Sequence, residues 1–169
     1  MTDFIPQIEP WIDTSELNQF ERIIESTYVV EHALTDEFEQ AIIRLTGSRY
    51  AMAVTNGTAA LFCCLKALNI GPGDEVIVPD LTFVATSNSV IMAGAIPVFC
   101  DVDPNTLCID VSAVESLITK RTKAIMPVHL YGNSADMESI LDLGRHHNIK
   151  IIEDAAQGVG VKHRSRHVG

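Results

Sequence analysis

The sequence is poor in the features that would send it to a membrane, a nucleic acid or an oxidising compartment. No apolar run approaches the ~20 residues that a helical membrane span requires. The first ten residues carry acidic side chains and prolines, with no basic stretch leading into an apolar one, so no signal peptide is expected and a cytoplasmic location is. Positive charge is scarce: 12 Lys and Arg against 22 Asp and Glu give a formal net charge of −10. Such a surface repels phosphate backbones and anionic headgroups, which makes nucleic acid and lipid poor partners. There are four cysteines and no Cys-x-x-Cys pair; Cys63 and Cys64 are neighbours, and Cys100 and Cys108 stand apart. Buried free thiols in a reducing compartment are expected, with no disulfide or zinc framework. Repeats and low-complexity tracts are absent too. What remains is ordinary soluble material, 169 residues of which 47% are hydrophobic and 20% charged, enough for one domain with a substantial core.

Residues 1–48 read as helical. Asp13 followed by Glu16 resembles a capping box, opening a run of Leu17, Phe20, Ile23 and Ile24 at helical spacing. A second helix is predicted over 35–45, with Phe38, Ile42 and Leu45 on one face and Gly47 closing it. From Tyr50 the pattern changes. Strand-like runs at 50–54, 75–78, 96–102, 123–128 and 150–153 alternate with helix-like runs at 58–68, 83–93, 111–118 and 135–147. Gly71-Pro72-Gly73 and Gly94 punctuate them, and Asp110 and Ser134 are the expected caps of the last two helices. Strands without polar alternation, each followed by a helix, predict an α/β fold with a mostly parallel sheet covered on both faces. The basic tail at 162–167 carries His163 and His167 four apart, a metal-like spacing, but its flanking glycines favour a turn or hairpin.

In open parallel sheets ligands gather beyond the carboxyl ends of the strands, and three segments fall there. Thr55-Asn56-Gly57-Thr58 offers a glycine for close backbone approach, a hydroxyl, and the amide-rich start of a helix, all suited to a phosphate. Asn-Gly-Thr is equally a good turn and N-cap, with Thr58 as the capping hydroxyl. Phe83, at a strand-to-helix turn, can cover a flat ring or simply join the core. Asp154 follows an apolar strand, where a carboxylate needs a partner: a protonated heteroaromatic nitrogen, or the first amides of a helix. Ala155 and Ala156 leave room beside it, and Gln157 could bond a phenolic oxygen. His129 also lies at a strand end and could contact a ligand or cap a loop. Asp101 and Asp103 could pair on a metal, but a turn before Pro104 is favoured.

The order of these motifs carries more than any one of them. The string Asn56-Gly57-Thr58-Ala59-Ala60-Leu61 is followed by Gly71-Pro72-Gly73-Asp74-Glu75-Val76-Ile77-Val78-Pro79 and Thr82-Phe83-Val84-Ala85-Thr86. Further on come Gly94-Ala95-Ile96-Pro97-Val98-Phe99, Lys123-Ala124-Ile125-Met126-Pro127-Val128-His129-Leu130-Tyr131-Gly132 and Ile151-Ile152-Glu153-Asp154-Ala155-Ala156-Gln157. Together they resemble the DegT/DnrJ/EryC1/StrS family of pyridoxal-phosphate-dependent sugar aminotransferases. The similarity is close over 48–169 and looser over 1–47.

The resemblance implies a three-layer α/β/α architecture, part of the large domain of the aspartate-aminotransferase fold (fold type I). Residues 1–47 would be an N-terminal helical segment and 48–169 the partial domain that binds pyridoxal 5′-phosphate. Gly57 and Thr58 would hold the cofactor phosphate, Phe83 would stack on its ring, Asp154 would pair with the ring nitrogen, and Gln157 would bond the ring oxygen; His129, from its place at a strand end, is the candidate to contact substrate. Glutamate as amino donor, a nucleotide-linked keto sugar as acceptor, and a homodimer in the full-length form come with it. The family's Schiff-base lysine is expected beyond Gly169, since Lys66, Lys120, Lys123, Lys150 and Lys162 all lie outside its context. The chain alone is then expected to be inactive or nearly so, with no catalytic residue of its own. A glycine-rich loop usual in the family is replaced at 27–32. Two other roles stay open: a non-catalytic cofactor-binding or dimerisation module, and a sugar dehydratase of the same family.

Overall fold

The computed structural model of the chain describes Pro6, residues 9–30 and residues 32–169. Contacts divide the chain into two compact units, Met1–Phe38 and Glu39–Gly169. The departure expected at 27–32 includes Glu31, which lies outside the described residues, as does most of the acidic N-terminal stretch.

The first unit holds α1 (Glu16–Ser26). Only half of the expected capping box forms. Glu16 accepts from the Asp13 N–H at 2.9 Å, whereas the Asp13 carboxylate turns to the Ser15 N–H at 2.7 Å. No residue of α1 is buried, and Leu17, Phe20 and Ile24 on its apolar stripe are all exposed. Helix α2 (Ala33–Thr46) follows and straddles the boundary between units; Gly47, at φ 75°, closes it as predicted.

The second unit is a βα succession: α3 (Gly57–Ala67), β1 (Glu75–Pro79), α4 (Ala85–Met92), β2 (Ile96–Cys100), α5 (Val111–Leu117), β3 (Thr122–Ile125), α6 (Met137–His147) and β4 (Lys150–Ile151). The four strands form one parallel sheet in the order β2-β1-β3-β4. Successive residues of a strand face opposite sides, and the core divides accordingly. Val76, Val78, Ala124, Met126 and Ile152 pack with Leu61 and Leu65 of α3 and Val90 of α4. Ile77 and Ile125 pack on the other side with Val114 of α5 and Ile140 of α6. Both faces of β1 and β3 are therefore covered, and strands without polar alternation are the result, whereas β2 leaves Ile96 and Phe99 exposed. Burial of each such side chain stabilises the fold by roughly 1.5–3 kcal/mol.

Several expectations need correction. Residues 50–54 run without a strand partner among the described residues, and the Ala53 N–H donates instead to Glu39 Oε1 at 2.7 Å. A strand exists only by pairing, so an apolar alternation is insufficient by itself. Helix α6 starts later than predicted and is capped by Asp136, which accepts from the Ser139 N–H at 3.3 Å. The Ser134 hydroxyl turns away to Ala135 O and His163 Nδ1. Cys63 and Cys64 are exposed on α3, while Cys100 and Cys108 are buried; all four are free. The tail forms the expected hairpin, β5 (Lys162–His163) paired antiparallel with β6 (Arg166–His167). Asp103 serves its turn, accepting from the Asn105 and Thr106 amides at 2.7 and 3.0 Å.

Candidate functional site

Topology places the singled-out residues at one edge of the sheet. Helix α3 leads into the amino end of β1, so its own start at Gly57 lies at the carboxyl side. The turn 80–84 leaves the carboxyl end of β1, and His129 follows β3. Beyond Ile125 the ladder thins, because Pro127 has no N–H to give. The alignment of β3 with β4 nevertheless continues: Ile152 N–H donates to Ile125 O at 3.1 Å, Asp154 N–H to Pro127 O at 2.9 Å, and His129 N–H to Asp154 O at 3.1 Å. These bonds carry Asp154 to the carboxyl edge on a rigid main chain.

The Asp154 side chain is buried, with 8% exposure. It accepts the Thr86 hydroxyl at Oδ2 (2.8 Å) and the Ala156 N–H at Oδ1 (3.2 Å). No helix follows it, so it is not a helix cap. A carboxylate offers about four lone-pair sites, and two donors leave it able to accept another N–H. Thr86, itself fully buried in the first turn of α4, lies 2.9 Å from the Thr82 hydroxyl.

At α3 the cap is Asn56, whose Oδ1 accepts from the Ala59 N–H at 2.9 Å; Thr58 was expected to do this. Asn56 is extended (φ −170°) and reaches the third amide of the first turn, which leaves the Thr58 hydroxyl uncommitted. The amides of Gly57 and Thr58 precede the first intrahelical acceptor. Space is open around Gly57, where a built Cβ would meet nothing within 4 Å. Phe83 is 70% exposed, which removes the core alternative for its ring. The Gln157 Oε1 accepts from the Tyr131 N–H at 2.9 Å, so its amide NH2 is the part left to donate.

His129 is where the structure departs most from expectation. It has no exposed surface. Its Nδ1 accepts from the Ala135 N–H at 3.2 Å, which puts the ring hydrogen on Nε2, 2.9 Å from Glu153 Oε2. Both nitrogens are bonded inside the protein, which leaves neither free toward a ligand in this arrangement. Burial raises the Glu153 carboxyl, but the bonds from His129 and from the Gly169 N–H outweigh it and hold the group below its usual range. Sequence reasoning gave no role to Thr82, Thr86 or Glu153. The i,i+4 spacing of Thr82 and Thr86 across a helix start was the available signal.

The sequence pattern of the DegT/DnrJ/EryC1/StrS aminotransferase family matches residues 10–169. The chain belongs to this family. It is 53% identical over 133 residues to a GDP-perosamine synthase of Caulobacter vibrioides, an alignment covering 79% of this chain and 36% of that protein. Among solved structures, an aminotransferase from Psychrobacter cryohalolentis superposes with a TM-score of 0.90 at 40% identity, over 95% of this chain and 42% of that one. NtdA of Bacillus subtilis, solved with bound cofactor PMP, superposes with a TM-score of 0.85 at 34% identity, over 96% and 40%. The chain thus spans about two-fifths of the length of these relatives. The fold is the front part of the fold type I domain, and the DegT/DnrJ/EryC1/StrS aminotransferases use pyridoxal phosphate.

Proposed function

We propose that residues 48–169 form the cofactor-binding front of the large domain of a sugar aminotransferase, with Asp154 as the partner of the cofactor's ring nitrogen. The observation that carries this reading is a buried carboxylate, held by two donors with acceptor capacity to spare, at the carboxyl edge of a parallel sheet. The residues around it fit pyridoxal phosphate. First-turn amides at Gly57 and Thr58, with the helix dipole and the free Thr58 hydroxyl, suit a phosphate. The open face of Phe83 suits a planar ring, and the Gln157 amide donors suit a phenolic oxygen. When bound, the cofactor supplies an electron sink that carries an amino group between substrates. Asp154 keeps the ring nitrogen protonated, which preserves that sink.

No lysine of the chain reaches this edge from the sheet. Lys66 lies in the last turn of α3, Lys120 and Lys123 near the start of β3, and Lys150 at the start of β4, all at the opposite end; Lys162 lies in the hairpin. The chain alone therefore binds the cofactor without a covalent link and has little activity. In the reading we adopt, the full protein moves an amino group from glutamate to a nucleotide-linked keto sugar, supported by its identity to the GDP-perosamine synthase. Full-length homodimerisation is supported by the exposed apolar stripe Leu17, Phe20 and Ile24, and a cytoplasmic setting by the four free thiols.

The test is titration of the purified chain with pyridoxamine 5′-phosphate, followed by cofactor absorbance and protein fluorescence. Saturable binding that dialysis reverses and Asp154→Ala abolishes is expected. Absence of binding, or a covalent adduct of pyridoxal 5′-phosphate fixed by borohydride, defeats the reading.

A further inference from the structure

The Asp154 carboxylate does not stand alone; two hydroxyls are lined up behind it. Thr86 Oγ1 donates its only hydrogen to Asp154 Oδ2 at 2.8 Å, so the 2.9 Å contact between Thr82 Oγ1 and Thr86 Oγ1 has Thr82 as donor. Direction along the chain is thereby fixed: Thr82 to Thr86 to Asp154. The middle member is held from both sides. Thr86 N–H donates to Phe83 O at 3.1 Å, and the buried Ser89 hydroxyl donates to Thr86 O at 2.8 Å. Thr86 and Ser89 have no exposed surface, and Thr82 is half-buried. In a site this dry, hydrogen bonds polarise one another and each is worth more than in water.

Packing alone explains a buried residue of this size at position 86 as well by valine as by threonine. The directed hydroxyl is what needs a reason, and a carboxylate has one. An anion that accepts hydrogen bonds is favoured over its neutral form and held at a fixed angle. Glu153, the neighbour of Asp154 in sequence, is bonded to His129. Thr86 is thus the side-chain donor that fixes Asp154.

We propose that Thr82 and Thr86 form a two-hydroxyl positioning relay that holds the Asp154 carboxylate charged and aimed at the protonated ring nitrogen of the cofactor. The proposal rests on the cofactor reading given above and deepens it: Thr86 acts through Asp154 and touches neither cofactor nor substrate. It also accounts for the turn of β1 into α4, where Phe83 and Thr86 are presented by one helix start. The ring platform and the support of the ring-nitrogen partner are then set by the same local backbone.

The experiment is pyridoxamine 5′-phosphate titration of the whole chain and its variants, with cofactor absorbance recorded across pH. Binding by the unmodified chain is the precondition; its absence overturns this inference together with the proposed function. Where the unmodified chain binds, Thr86→Val, which keeps shape and removes the hydroxyl, is expected to weaken affinity on the order of tenfold. The bound ring is also expected to lose its proton about one pH unit lower than in the unmodified chain, a change that altered packing does not produce. Thr86→Ser, which keeps the hydroxyl and loses the methyl, restores both readings. Thr82→Val gives a smaller loss in the same direction, and the double valine variant is no worse than Thr86→Val, because the relay acts as one unit. Should Thr86→Val fail to melt cooperatively, the Thr82→Val arm carries the same test. Unchanged affinity and ring titration in the valine variants, a serine variant as impaired as valine, or fully additive losses would each overturn the relay while leaving the cofactor reading intact.

Discussion

His129 and Glu153 are joined by a 2.9 Å hydrogen bond on the far side of the strand extension from the Asp154–Thr86 contact. Neighbours in sequence at a strand end point to opposite faces, and the two acidic residues use this. Asp154 turns to α4, whereas Glu153 is held by the His129 ring and by the Gly169 amide at 2.9 Å. His129 in turn donates its main-chain N–H to Asp154 O. The pair therefore clamps the ends of β3 and β4 behind the candidate site.

This clamp is sensitive to acid. Glu153 in the folded chain ionises below the usual glutamate range, despite a burial that works against it. A carboxyl depressed on folding stabilises the protein above its unfolded pKa and loses that contribution as pH falls through the folded value. Thermal midpoints followed by circular dichroism are expected to drop below about pH 4.5. Glu153→Gln should make that drop shallower, without removing it, since Asp136 and Asp103 are depressed as well. An equally steep acid limb in the variant would show that the pair contributes nothing.

The parallel sheet was legible because its strands are apolar on both faces, and that reflects helices on both sides. The placement of Gly57 at the opening of α3 and of Asp154 just beyond β4 was legible from the turn residues before the one and the apolar run before the other. Four things were not. Residues 50–54 have a strand's composition but no strand partner among the described residues, and pairing is not written in a single segment. Asn56 and Thr58 are both good caps, and only the backbone at Asn56 decides between them. His129 looked available because a histidine at a strand end usually is; its burial depends on the Ala135 amide and on Glu153, which come from elsewhere in the chain. Thr86 was hidden for the same reason, since its partner is 68 residues away.

The four thiols should separate cleanly. Cys63 and Cys64 are exposed on α3, and Cys100 and Cys108 are buried against the α5–α6 side of the sheet. Burial, with the nearby carboxylates of Asp110, Asp101 and Asp80, pushes the Cys100 thiol up to about 11, and burial raises Cys108 as well. The thiolate is the reactive form. Native chain at pH 8 is therefore expected to label at Cys63 and Cys64, with Cys100 and Cys108 reacting only after denaturant is added. Peptide mapping that finds Cys100 modified first would contradict the packing of β2.

Two glycines near the site should answer differently to alanine. Gly158 is buried, and an added Cβ would fall 2.9 Å from Val168 Cγ2 and 3.1 Å from His129 Cβ. Neither neighbour can retreat, because His129 has no exposed surface and Val168 only 2%. Overpacking of this kind costs about 1–3 kcal/mol, so Gly158→Ala should lower the denaturation midpoint. Gly57 opens α3 with nothing within 4 Å of a built Cβ and no positive φ, so alanine there is expected to leave stability unchanged or slightly raised. The same methyl stands where an anion would approach the first-turn amides, and Gly57→Ala should weaken pyridoxamine 5′-phosphate binding while urea unfolding is unaffected. Equal affinity in Gly57→Ala would remove the α3 start from the phosphate site, since a ligand that tolerates a side chain at that position is not seated on its backbone.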